Sequence, residues 1–405
     1  MYDFDRYIDR RGTSSVKWNR DAIRSICGNP DALPFWVADM DLPTSDAIHS
    51  AMISAASFGI AGYSNVPELQ KSFLGFLERK HGWSVDEEHV TYAQGLLHAI
   101  ALAMQTFTEA GDGVLVMYPS YAPFEAMAKS NDRRVIEYDL DCRDGRFYFD
   151  RESYEKKARD ASLIMLCSPH NPSGMVFSGE DLEFILQLAK ENGQLVFSDE
   201  IHADLVHPGY RHIPLGKANE SIGAKVITFM APSKTFNIAG EHFAEVVFSE
   251  RSMLERYRRK QSKLYLTSPG FFIAGMALAA YSSSDDQNAE LCTYLGENAQ
   301  FIRSYIENNI PKLRFANAEA SFVGFIDCSN IFESVKRDME RHPEAYDGDH
   351  FIMSHFFGHY AGICMNDGSW FGSRYAPFVR FNYGTSRKMV EKALSAMKRA
   401  VDQLE

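Results

Sequence analysis

The chain has 405 residues, 45% of them hydrophobic and 24% charged, a globular composition with room for two or three domains of ~150 residues. Its 42 Lys and Arg against 54 Asp and Glu give a formal net charge of −12, which repels nucleic-acid backbones and anionic membranes and argues against either as a partner. The six cysteines (Cys27, Cys142, Cys167, Cys292, Cys328 and Cys364) form no CxxC pair and no zinc-spaced His/Cys cluster, so no metal site is expected and a reducing compartment is.

In chain order, MYDFDRYIDRRG is charged and has no apolar signal region, which with the cysteine usage predicts a cytoplasmic protein. Residues 1–45 read as loop-rich, with Pro30, Pro34 and Pro43. His89–Ala93 reads as a short strand, followed by Gly95 and an apolar helix-like stretch, Leu96–Phe107. Strands are then predicted at Gly113–Met117, Arg134–Leu140, Leu163–Cys167, Leu195–Ser198, Val226–Met230 and Glu245–Phe248. Between several of them lie the helical stretches Tyr121–Ser130, Arg151–Asp160 and Gly179–Asn192. The alternation predicts an α/β chain with a mostly parallel central sheet and helices on both faces. The basic run Arg256–Lys260, interrupted by Tyr257, reads as a solvated helix face. Phe271–Ala280 is about half the length needed to span a bilayer. A long helix over 286–309, strands Phe322–Asp327 and Phe378–Asn382, and a closing helix from Lys388 to about Leu404 describe a smaller α+β domain.

Open parallel sheets bind ligands beyond the carboxyl ends of their strands. Four predicted strands run into polar or aromatic residues: YPSY (Tyr118–Tyr121), SPHNPSG (Ser168–Gly174), SDE (Ser198–Glu200) and APSK (Ala231–Lys234). Together they predict one site. Lys234 follows an apolar strand and a Ser; partial desolvation would lower its pKa and make its amine a nucleophile toward carbonyls. Asp199 also leaves an apolar run, and a buried carboxylate needs a cationic partner, which a protonated pyridine nitrogen would be. Ordinary salt bridges are the other reading of both residues. Asn171, before a proline, is either an amide donor to a phenolate oxygen or a turn residue. Tyr121 is either a stacking ring or core. Gly95 either opens a helix start suited to a phosphate or only caps it.

SPHNPSG, SDEIH and APSKTFNIAG, in this order, resemble fold-type I pyridoxal 5'-phosphate (PLP) enzymes of the class I/II aminotransferase superfamily. FDRYIDRRGTSSVKW, LPFWVADMD (Leu33–Asp41), SDEIHADLVHPGYRHIPL and FVRFNYGTSR (Phe378–Arg387) are closer to its cystathionine β-lyase branch, the MalY/PatB-type and cystalysin-like C–S lyases. The resemblance spans almost the whole chain. It implies that Lys234 holds PLP as a Schiff base and shuttles protons, that Asp199 partners the pyridinium, Asn171 the phenolate, and that Tyr121 stacks on the ring. It implies phosphate ligands in Ser233 and the amides of Leu96 and Leu97 after Gly95. Tyr63 would reach the phosphate of a neighbouring subunit, hence a homodimer, and Arg380 would grip the α-carboxylate of an amino-acid substrate. The implied domains are an N-terminal segment, 1–45, joining the small domain, a large PLP-binding domain, 46–275, and a C-terminal small domain, 276–405.

Three departures stand out. Aminotransferases carry Tyr where this chain has His202, as the lyase branch does, and a phosphate-binding Arg where it has His242, preceded by Glu241. His242 would either donate to the phosphate or, with Glu241, face solvent. Gly324 stands where the branch commonly has an aromatic, which implies a wider or differently shaped substrate pocket. The implied activity is β-elimination of L-cystathionine or related L-cysteine S-conjugates. The rivals are an aminotransferase on the same fold and a PLP-fold protein serving mainly as a regulator's binding partner.

Overall fold

The computed structural model describes residues 2–266 and 269–404. Its largest element is a seven-stranded sheet of β1 (Val90–Ala93), β2 (Gly113–Tyr118), β3 (Arg134–Asp139), β4 (Leu163–Cys167), β5 (Leu195–Asp199), β6 (Lys225–Met230) and β7 (Ala244–Phe248). The spatial order is β1-β7-β6-β5-β4-β2-β3. Neighbours pair in parallel from β6 through β5, β4 and β2 to β3; β7 runs antiparallel to both β6 and β1. The mostly parallel sheet is therefore as expected, with one reversed strand. β2, β4 and β5 are buried along their whole length, as strands covered on both faces must be.

The expected helices are present with shifted ends: Ala122–Ser130, Arg151–Ala158, Gly179–Glu191, Asp285–Asn309 and Arg387–Asp402. Residues 1–45 are loop-rich, as expected. Within them Arg20–Cys27 is a helix, capped by the Asn19 side chain, which accepts from the Ala22 amide, and ended by Gly28 at φ 74°. Asn before and Gly after an apolar-periodic run is a legible helix signature that proline counting obscured.

Part of the N-terminal segment joins the C-terminal core, while Ile23, Ile26, Cys27, Ala32 and Trp36 cluster with Cys364. Phe4, Phe35, Met40 and Leu42 pack with residues of the C-terminal helices, with Phe322, and with Val323 and Phe381 of the adjacent antiparallel strands Val323–Asp327 and Phe378–Asn382. Leu33–Pro34 pairs in parallel with Ile363–Cys364. The helix Phe271–Ser283, which straddles position 275, packs through Ile273 and Ala277 with Phe73, Phe76 and Ile48. Gly324 does not widen a pocket: a Cβ there would overlap the Phe315 ring, so Phe315 and Tyr383 already fill that space. No helix among the described residues is long and apolar enough to cross a membrane.

Candidate active site

The carboxyl ends of β2, β4, β5 and β6 converge on one cavity of about 260 Å³. Tyr121 enters from the loop after β2, Asn171 after β4, Asp199 at the end of β5, and Ser233 and Lys234 from the short helix Pro232–Thr235 after β6. Gly95, Leu96 and Leu97, after β1, close one wall, and His202 another.

Lys234 sits there because β6 is apolar to its end and Pro232 starts a helical turn that lifts the lysine over the strand end. Its Nζ donates to the carbonyl of Ala38 at 2.6 Å. Burial draws its pKa down from 10.5 to about 8, against the pull of Asp39 and with the push of Arg380. The shift raises the neutral fraction of the amine near neutral pH.

Asp199 is buried, and Oδ1 accepts from the Ile201 amide at 3.0 Å. Burial raises its pKa to about 7, against the Ile201 hydrogen bond, and neighbouring Glu200 raises it further. Among the described residues no ion pair reaches it.

Arg380 is buried as well. Nη1 donates to Asn171 Oδ1 at 3.2 Å, and Nη2 to the Trp36 carbonyl at 2.8 Å and to Asn366 Oδ1 at 2.7 Å. Its guanidinium carbon lies 5.0 Å from the centroid of the Phe371 ring. Every one of these partners is neutral, and Nε has none in the described structure. Burial lowers its pKa to about 10.

The helix Leu96–Phe107 starts at Gly95, φ 101°, with no side-chain cap, and its first residues, Leu96 and Leu97, line the cavity. The ring of His242 lies against Gly95: a Cβ there would come 3.4 Å from His242 Cβ. His242 is exposed at the rim and Glu241 half-buried, yet both line the cavity, so neither simply turns to solvent. His202 is buried, with Nδ1 3.0 Å from Ser321 Oγ, and burial pulls its pKa to about 3, leaving a neutral ring. Tyr63 is the exception: it is fully exposed and outside the cavity of its own chain.

Sequence reading missed the supports. Ala38 and Trp36 act through backbone carbonyls, which carry no residue signature; Asn366 and Phe371 lie in segments without a motif. No group of His, Cys, Asp and Glu that could hold a metal occurs among the described residues.

Two buried ionisable groups have no ion pair among the described residues: Asp199, which lines the cavity, and Arg380, which is bonded to the lining residue Asn171. A protonated ring nitrogen fits the first and a substrate carboxylate the second. The uncapped helix start at Gly95 fits a phosphate. The donor set therefore fits PLP, with the Asn171 amide nitrogen and the Tyr121 ring placed on the same cavity.

The comparisons agree. PatB of Bacillus subtilis, a cystathionine β-lyase, is 33% identical over 98% of this chain and 100% of its own. A PLP-bound protein of Clostridium difficile 630, provisionally described as an aminotransferase, superposes with a TM-score of 0.91 at 28% identity, covering 99% of this chain and 100% of that one. Cystalysin of Treponema denticola, which contains a PLP cofactor, has a TM-score of 0.88 at 27% identity, covering 100% of both chains. The aminotransferase class I and II model matches residues 33–397. The chain is a PLP protein of the aminotransferase class I and II family, in the branch that holds PatB.

Proposed function

We propose that this chain is a PLP-dependent C–S lyase that β-eliminates L-cystathionine or related L-cysteine S-conjugates to a thiol, pyruvate and ammonia. The observation that carries the reading is one cavity lined by Lys234, its pKa drawn to about 8, and by buried Asp199, with buried Arg380 bonded to the lining residue Asn171. The likeness to PatB along the whole chain supports the lyase over its rivals.

PLP, when bound, supplies an electron sink for negative charge at the substrate Cα. In this reading Lys234 holds it, Asp199 faces its ring nitrogen, Asn171 donates to its phenolate oxygen and Tyr121 stacks on it. His202 completes that wall, and Ser233 and the Leu96 and Leu97 amides take the phosphate, with His242 beside them. Arg380 clamps the α-carboxylate through its planar fork, which orients Cα toward Lys234. Lys234 Nζ takes the Cα proton as general base. The C–S bond pair leaves with sulfur, and the released three-carbon enamine takes up water to give pyruvate and ammonia.

The working unit in this reading is a homodimer. Support comes from Tyr63, exposed in the single chain together with Ile53, Phe58 and Ile60 on one contiguous stretch. A reducing, cytoplasmic setting is supported by six free cysteines. The shared packing of residues 4–42 with the C-terminal core supports assigning 1–45 to the small domain. The packing of Phe271–Ser283 supports a large domain from 46 to Ser283, past the expected boundary at 275.

Purified holoprotein supplied with L-cystathionine should release pyruvate and a free thiol in equal amounts. Amine transfer to an added keto acid without pyruvate release would replace the reading with the aminotransferase one.

A further inference from the structure

Behind the cavity lie two buried histidine–carboxylate pairs that line no part of it. His81 Nε2 is 2.7 Å from Asp204 Oδ1, and His212 Nε2 is 2.8 Å from Glu200 Oε2. The two imidazoles meet edge to face at 5.8 Å and 85°. All four side chains are buried.

The remaining carboxylate oxygens lead back to the site. Glu200 follows Asp199 in the chain, and its Oε1 accepts from Ser198 Oγ at 2.7 Å and from the Leu215 amide at 2.8 Å. Asp204 Oδ2 accepts from Thr235 Oγ1 at 2.9 Å, and Thr235 follows Lys234. The β5–β6 ladder ends at Asp199 opposite Phe229, with one further bond from the Glu200 amide to the Phe229 carbonyl at 2.9 Å. Beyond that point the chains separate, β5 into the turn that holds Asp204 and β6 into the helix that holds Lys234. The Asp204–Thr235 bond joins them again.

A buried polar network in which every member is hydrogen-bonded tolerates few geometries. Every carboxylate oxygen here has a donor, so the arrangement is rigid rather than merely present. We propose that His81, Asp204 and Thr235, together with His212 and Glu200, are positioning residues that fix the separation of Lys234 from Asp199. The proposal rests on the roles given above to those two residues.

Thr235→Val removes the hydroxyl at nearly constant volume, and Thr235→Ser restores it. The Val variant should bind PLP, lose about ten- to a hundredfold in kcat with KM within about twofold, and regain kcat as Ser, the size of loss expected for misplacement of about an ångström. The visible absorbance of the resting, PLP-loaded Val protein should titrate at a displaced pH, and that of the Ser protein at the wild-type pH. Wild-type kcat and wild-type titration in Thr235→Val would overturn the proposal, even with a lowered melting temperature. The spectral comparison needs no turnover, so it decides the proposal even if the chain transfers amines instead of eliminating thiols. His81→Gln breaks the same chain of bonds one step further out and gives the same two readings if the Val protein does not fold.

Discussion

Arg380 Nη1 donates to Asn171 Oδ1 at 3.2 Å, and this bond orients both side chains. A guanidinium only donates, so the amide oxygen of Asn171 must face it, and its amide nitrogen is the end left for the cofactor. Arg380→Lys keeps the charge but loses the fork. It should cut kcat/KM for an S-conjugate by about a hundredfold, roughly 3 kcal/mol, mostly through KM. Steady-state pyruvate release measures it; a change under threefold would remove Arg380 from substrate binding.

Lys234→Ala should still fold and bind PLP through its phosphate and ring contacts. It should lose the visible absorbance of the lysine-linked cofactor and essentially all turnover, since both covalent holder and general base are gone. Borohydride treatment followed by peptide mapping should mark Lys234 in wild type; a mark on another lysine would reassign the role.

Asp199 gives cofactor-free protein a defined pH dependence. Its folded pKa is raised from 3.8 to about 7, so between about pH 4 and about 7 the folded chain keeps a proton that the unfolded chain has released. Stability from this group is full below that window and falls as pH rises through it. Lys234, lowered from 10.5 to about 8, acts in the opposite sense: between those values the unfolded chain holds the extra proton, and stability rises with pH. Asp199→Asn should therefore gain melting temperature relative to wild type as pH goes from 4 to 7, when both lack PLP. The same variant, loaded with PLP, should turn over at least about a hundredfold more slowly, because the electron sink is weakened. Parallel melting curves across that range would contradict the first expectation, and near-wild-type kcat the second.

Tyr63 tests the assembly. Sedimentation at micromolar concentration should show a dimer, and Tyr63→Phe should weaken PLP binding several-fold by removing one phosphate hydrogen bond, worth about 1–2 kcal/mol. A fully active monomer would refute the cross-subunit role.

Gly324 tests packing rather than chemistry. Because a Cβ there overlaps the Phe315 ring, Gly324→Ala should cost about 1–3 kcal/mol of stability through overpacking. KM should stay within twofold, since Gly324 does not line the cavity. Thermal melts and steady-state kinetics separate the two.

The sequence by itself determined the sheet and the residues at its strand ends. Burial on both faces demands continuous apolar runs such as LIMLC and the LVF before Ser198, and the polar residues that follow them fall at one edge because parallel strands all point the same way. Asp199, Asn171 and Lys234 were legible for that reason. Only the tertiary structure decided what holds them. The Ala38 carbonyl meets Lys234 across 196 positions and the Trp36 carbonyl meets Arg380 across 344. Backbone groups look the same at every residue, so periodicity cannot single them out. The same holds for Gly324, whose role is set by Phe315 and Tyr383 packing against it, and for His81, brought beside His212 by the end of a helix that no motif marks. Local pattern follows from the chain's own periods; contact between distant segments follows from how their apolar faces pack.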